Sequence, residues 1–140
     1  MSFFREIGRI LSQESNREDN DTTSNLTFRP LSTAMELEEA FTASMEKPVI
    51  LFKHSATCPV SAMARRRIKQ LQEAGDPPVY EVVVQSARSL SQKLAQDLGI
   101  RHESPQVILL HKQSPVYDTS HHLINVEDIR DAAAHALQAE

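Results

Sequence analysis

The chain has 140 residues, of which 40% are hydrophobic and 24% charged, and a net charge of −4. That length suits one domain with a modest extension, and the negative balance argues against a general nucleic-acid binder. A single cysteine excludes an intramolecular disulfide framework, and no apolar run approaches membrane-spanning length; with no apolar signal-peptide core at the N-terminus, the expected setting is a reducing cytoplasm.

Residues 2 to 13 place Phe3, Phe4, Ile7, Ile10 and Leu11 on one helical stripe, with Arg5, Glu6 and Arg9 opposite. From Ser12 to Asn25 the chain is polar and almost without apolar side chains, the composition of a flexible linker. The organisation expected is therefore an amphipathic helix and linker over 1–25, followed by one folded domain over 26–140.

Within that domain Leu26 to Leu31 reads as a strand, and Pro30 confines it to a sheet edge. Thr33 with Glu36 has the spacing of a capping box. Leu37, Ala40, Phe41 and Ser44 or Met45 continue that helix to about Glu46. Val49 to Phe52 is a short apolar run fit for a buried strand. Val60, Met63, Ala64, Arg67, Ile68 and Leu71 have the spacing of a buried helix face, closed by Gly75-Asp-Pro-Pro. Val79 to Val84 is a second buried strand, Ser89 to Leu98 a helix ended by Gly99, and Gln106 to Leu110 a further strand. Pro115 to Thr119 pairs beside it across the turn at Lys112. Val126 to Gln138, capped by Asn125, is the last helix, with Ile129, Ala133 and Leu137 inward. The order is β-α-β-α-β-α-β-β-α: helical crossovers imply early parallel pairing, and the closing hairpin an antiparallel edge.

Cys58 sits where the Val49–Phe52 strand turns into a helix. Ser55, Ala56 and Thr57 form the turn, and Pro59 fits the first helical position, where its missing N–H is not needed. Cys58 is thus the expected N-cap, beside free amides and the positive end of the helix dipole, a setting that favours the thiolate. A lone buried cysteine is more commonly an inert apolar residue. The strand–turn–Cys–Pro–helix setting reverses that preference, because burial does not call for a helix start.

This arrangement resembles the thioredoxin fold: α/β, with a mixed central sheet of about five strands flanked by helices. Pro105, immediately before a strand, stands where thioredoxin-like proteins carry a cis-proline facing the reactive thiol. More specifically, the chain is similar to the monothiol bacilliredoxins, the YtxJ-like proteins of the bacillithiol system. The residues that carry the match are Phe52-Lys-His-Ser, Thr57-Cys-Pro-Val-Ser, Arg101-His-Glu-Ser-Pro-Gln and Ser120-His121. The likeness spans about residues 26 to 138. Val60 departs from the isoleucine associated with the motif. Pro59-Val60 also stands where the cluster-carrying monothiol glutaredoxins have Gly-Phe, which counts against iron–sulfur binding.

The resemblance implies thiol–disulfide exchange with protein–bacillithiol mixed disulfides, with Cys58 as nucleophile and bacillithiol, or another low-molecular-weight thiol, as co-substrate. S-thiolated proteins are the implied clients, with no tightly bound cofactor, no nucleic acid and no membrane span. Ser61 occupies the position of a resolving cysteine, so the adduct must be resolved by an outside thiol; its hydroxyl can donate to the thiolate or cap the helix. Thr57 is a candidate donor to the sulfur or a plain turn residue. Lys53 and His54, with Arg65 to Arg67, are candidates for positive potential beside the thiolate, although Lys53 can equally snorkel and an arginine run is usually a solvated face. His102 and Glu103 flank the Ser104–Pro105 bond, and either line the thiol cleft or support its loop. His121 and His122 reach the site only if the closing loop folds back, and the expectation is that they are surface histidines with no role. His54, Cys58, His102, His121 and His122 lack tight metal-ligand spacing, so no metal is expected. The alternatives to an enzyme are a non-catalytic thioredoxin-fold binding module and a redox sensor thiolated at Cys58.

Overall fold

The computed structural model describes residues 26–139. The helix and linker expected over 1–25 lie outside the described residues. Five strands, β1 (Phe28–Pro30), β2 (Val49–His54), β3 (Val79–Val83), β4 (Gln106–His111) and β5 (Ser114–Ser120), form one sheet in the order β1-β3-β2-β4-β5. The helices are α1 (Ala34–Ala43), α2 (Pro59–Ile68), α3 (Arg88–Leu98) and α4 (Val126–Gln138), with a 3-10 turn at His121–Leu123 before α4. Pairing of β3 with β1 and β2 is parallel, while β4 runs antiparallel to both β2 and β5. The expected element order therefore holds, and Pro30 lies on the edge strand β1.

Alternation along the strands feeds two cores. Ile50 and Phe52 of β2 pack with Ala64, Ile68 and Leu71 of the α2 segment and with Ile129 and Ala133 of α4. Val49 and Leu51 point the other way, among Leu37 and Ala40 of α1 and Leu94 of α3. All six residues of β2 are buried, as suits a central strand covered by helices on both faces. The apolar run alone marked the strand only as far as Phe52. Pairing carries it further, because His54 still lies in register with Val83 and Lys53 with Gln106.

Three side chains differ from the helical patterns. α1 stops at Ala43, and at its end Ser44, not Met45, is buried. Ser44 accepts the backbone N–H of Lys112 on its carbonyl at 2.7 Å, and that of Gln113 on its hydroxyl at 3.0 Å. Those two residues form the β4–β5 turn with φ of 52° and 65°, the left-handed pair that a two-residue hairpin turn requires. On α2 the buried face is Ser61, Ala64 and Ile68, and Met63 is exposed. On α4 Ala136 is buried in place of Leu137, which is half-exposed.

Pairing also fixes which loops share an edge of the sheet. β2 and β3 are parallel and β4 antiparallel to β2, so the exits of β2 and β3 lie beside the entry to β4. The turn to Cys58, the turn after β3 and the loop ending at Pro105 therefore meet at one edge.

Candidate active site

Cys58 is the N-cap of α2, in extended conformation (φ −92°, ψ 125°), with Pro59 at the first helical position. The side chain is half-buried. Its pKa is lowered by the backbone N–H of Ser61 and then that of Val60, against a weaker opposing effect of burial, with a further contribution from the Ser61 hydroxyl. The sulfur makes no fully formed side-chain capping bond. The effect is thus that of amide dipoles directed at a nearby sulfur, which stabilise an anion without a short directed bond.

Ser61 is completely buried, and its Oγ accepts the backbone N–H of Ser55 at 3.0 Å. Thr57 is exposed; its Oγ1 accepts from Gln85 Nε2 at 3.3 Å and lies 3.4 Å from Ser55 Oγ. The Ser55–Thr57 turn is thus fastened both to α2 and to the loop after β3.

His54 and Lys53 lie on opposite faces of β2. The His54 ring stacks on Phe52, with centroids 4.9 Å apart and planes 9° apart. Its Nε2 lies 2.9 Å from Glu81 Oε2, but out of line for a formed hydrogen bond by strict ring geometry, so the contact is chiefly one of charge and dipole. Glu81 also accepts from Arg65 Nε at 2.6 Å. Burial works to raise the Glu81 pKa, but the contacts with His54 and Arg65 outweigh it and hold the carboxyl at about 2. The Arg65 guanidinium lies 4.0 Å from the centroid of the Phe28 ring, and Arg67 donates to the carbonyls of His122 and Ile124, each at 3.1 Å. Arg65 and Arg67 are therefore structural ties on α2, and Arg66 is the member of the run left exposed.

Lys53 does not snorkel. It is fully buried, and its Nζ has no hydrogen-bond partner among the described residues. Desolvation lowers its pKa to about 8, partly offset by the charge of Glu103. The lysine lies in register with Gln106, whose own side chain donates to the Arg101 carbonyl at 3.0 Å and so ties down the 101–106 loop. In that loop the Ser104–Pro105 peptide is cis, Pro105 is buried, and Ser104 Oγ is buried without a partner among the described residues. His102 Nδ1 lies 3.3 Å from Ser91 Oγ, and the His102 pKa is lowered by partial burial and then by Lys53.

Two groups outside the expected set join this edge. His121 does fold back: its backbone N–H donates to the Pro105 carbonyl at 3.0 Å, and its Nε2 lies 3.0 Å from Glu103 Oε2. The Glu103 pKa is lowered first by that contact. Gln85 is the second, and nothing in its sequence neighbourhood marks it. Among the described residues no three His, Cys, Asp or Glu side chains are grouped to hold a metal ion.

A lone thiol at a helix start, backed by a serine and flanked by a cis-proline loop, is a thiol-exchange geometry, and the comparisons with known proteins decide its family. The model of the family described as monothiol bacilliredoxin BrxC matches residues 29–129. The chain belongs to the monothiol bacilliredoxin family. A solved protein described as a proposed oxidoreductase with a thioredoxin fold is 32% identical, with a TM-score of 0.68 over 74% of this chain and 91% of that one. Thioredoxin from Fasciola hepatica superposes with a TM-score of 0.60 at 16% identity, over 77% of this chain and 98% of its own. A mutant thioredoxin from Halobacterium salinarum gives 0.61 at 18%, over 76% and 88%. Those two show the fold alone, which is the thioredoxin fold. Bacilliredoxin membership and this fold together support thiol oxidoreductase chemistry. No helix among the described residues is long and apolar enough to cross a membrane.

Proposed function

We propose that the chain is a monothiol thiol–disulfide oxidoreductase that removes bacillithiol from protein mixed disulfides in the reducing cytoplasm. The observation that carries this reading is the placement of Cys58 at the start of α2, under the amides of Val60 and Ser61, with a buried serine where a second thiol would otherwise stand.

In the first step the Cys58 thiolate attacks the bacillithiol sulfur of the client's mixed disulfide. The client S–S bond breaks, the electron pair leaves on the client sulfur as a thiolate, and a new S–S bond joins bacillithiol to Cys58. In the second step an outside thiol, bacillithiol or another of low molecular weight, attacks that adduct as its thiolate and departs as a disulfide, returning Cys58 as thiolate. Ser61 cannot form an internal disulfide, so the adduct persists until that thiol arrives. The low-molecular-weight thiol is a co-substrate, and no tightly bound cofactor enters.

Within this reading Ser61 and the amides of α2 lower the energy of the thiolate, both as nucleophile and as leaving group. Pro59 contributes no N–H and leaves the sulfur to the amides of residues 60 and 61. Thr57 and His102, with Ser104 and Pro105, border the space an adduct occupies, and Lys53 supplies positive potential from within the sheet, while His54 stands next to it in β2.

The test is a client protein carrying one bacillithiol adduct, incubated with the protein and followed by intact-mass spectrometry. The expected result is release of the client thiol with appearance of the adduct on Cys58, and turnover when free bacillithiol is supplied. A client that keeps its adduct while Cys58 is thiolated by bacillithiol disulfide would make the chain a sensor and end the proposal.

A further inference from the structure

The turn between β2 and Cys58 is three residues long, and a single side chain from elsewhere in the fold bonds all three. Gln85 Oε1 accepts the backbone N–H of Ala56 at 3.1 Å, and its Nε2 donates to Ser55 Oγ at 2.5 Å and to Thr57 Oγ1 at 3.3 Å. The amide orientation is fixed by chemistry: a backbone N–H can only donate, so its partner must be the oxygen, which leaves the nitrogen facing two hydroxyls.

Gln85 reaches the turn because of the sheet. The β2–β3 pairing continues past His54, whose carbonyl accepts the Val84 N–H at 2.9 Å. The next residue of the β3 exit then stands beside Ser55. The turn has a second anchor, the Ser55 N–H on Ser61 Oγ. One anchor belongs to α2 and the other to β3, so between them they set the approach of the chain to the N-cap.

We propose that Gln85 is a positioning residue for the Cys58 thiolate. It touches neither the sulfur nor a substrate. By holding Ser55, Ala56 and Thr57 it fixes the extended N-cap conformation that brings the sulfur within range of the amides of residues 60 and 61. Loss of the brace lets the turn relax, and the sulfur then spends time away from those amides, so less of it is ionised at neutral pH. Gln85 also occupies Thr57 Oγ1 as an acceptor, which leaves the Thr57 hydroxyl hydrogen directed elsewhere and so sets the polarity of the turn.

This inference rests on the reading of Cys58 as the nucleophile, but its test needs no bacillithiol, so the two fail separately. Gln85→Met keeps the length of the side chain and removes all three bonds. Its Cys58 alkylation rate by iodoacetamide is measured against pH, alongside thermal unfolding. The expected result is a titration displaced to higher pH and a rate about three- to ten-fold lower at pH 7, the scale of one or two lost hydrogen bonds. In the Ser55→Ala background the same substitution should lose clearly less than it does alone, because part of what Gln85 holds is already gone. A Gln85→Met profile that superimposes on the parent's, whether or not the melting temperature falls, would overturn the proposal. So would losses that simply multiply in the double variant.

Discussion

Ser61 Oγ accepts the backbone N–H of Ser55 at 3.0 Å, a bond that crosses the turn carrying Cys58 and joins the first turn of α2 to the end of β2. The same hydroxyl is among the groups that lower the Cys58 pKa. Its oxygen accepts from the turn while its hydrogen serves the sulfur, so one buried group does both tasks. Ser61→Ala removes both. The half-buried Ser55 N–H then lacks an acceptor, at a cost of about 1 to 2 kcal/mol, seen as a melting temperature lower by a few degrees. The alkylation profile of Cys58 should also move to higher pH. A fall in melting temperature without that movement would assign Ser61 a capping role alone.

Glu81 joins the two halves of the sheet face beneath α2, touching His54 on β2 and Arg65 on α2. Its carboxyl titrates at about 2 in the fold against an ordinary 4.5. The folded value lies below the unfolded one, so the stabilisation is complete above pH 4.5 and is lost as pH falls from there to about 2. Glu81→Gln should flatten stability over that acid window and cost about 1 to 2 kcal/mol at pH 7, less than the whole shift implies because Arg65 is partly in water. Chemical denaturation at pH 3, 5 and 7 checks this.

Lys53 has the opposite consequence. Burial lowers its pKa from 10.5 to about 8, so the unfolded chain holds that proton more tightly than the fold does. Its contribution to stability is therefore full only above pH 10.5 and is lost as pH falls through about 8. At pH 7 the fold bears the burial of an ammonium with no hydrogen-bond partner among the described residues. Lys53→Met, similar in length and apolar, should raise stability at pH 7 by about 1 to 3 kcal/mol and remove the rise between pH 8 and 10. If activity towards a thiolated client falls in the same variant, the buried charge is retained for function at the expense of stability.

The fold was readable because its signals are local and repeat along the chain. Strands of continuous Val, Ile and Leu, the Thr33–Glu36 capping box, Gly99 after α3 and the Cys58-Pro59 helix start each specify an element without reference to the rest. What could not be read depends on neighbours brought from afar. Lys53 looks like a strand-end lysine free to reach water until β3 and β4 are placed on either side of it. Met63 and Leu137 have the spacing of buried residues, but small side chains, Ser61 on α2 and Ala136 on α4, are the ones the sheet accepts. His121 comes to Pro105 only because the β4–β5 ladder returns it there. Gln85 lies 27 residues beyond Cys58 in the chain and meets its turn only through the parallel β2–β3 register. At the site itself the helix-start position of Cys58 and the serine behind it were legible, while the groups that hold them in place were not.

The measurement that bears most directly on the account is the pH dependence of Cys58 alkylation by iodoacetamide in the full chain, with Cys58→Ser as the blank. Amides of residues 60 and 61 that stabilise the thiolate should place the inflection clearly below the roughly 8.5 of a free cysteine. An inflection at or above that value would contradict the account, since the sulfur would then be an ordinary thiol at a helix start.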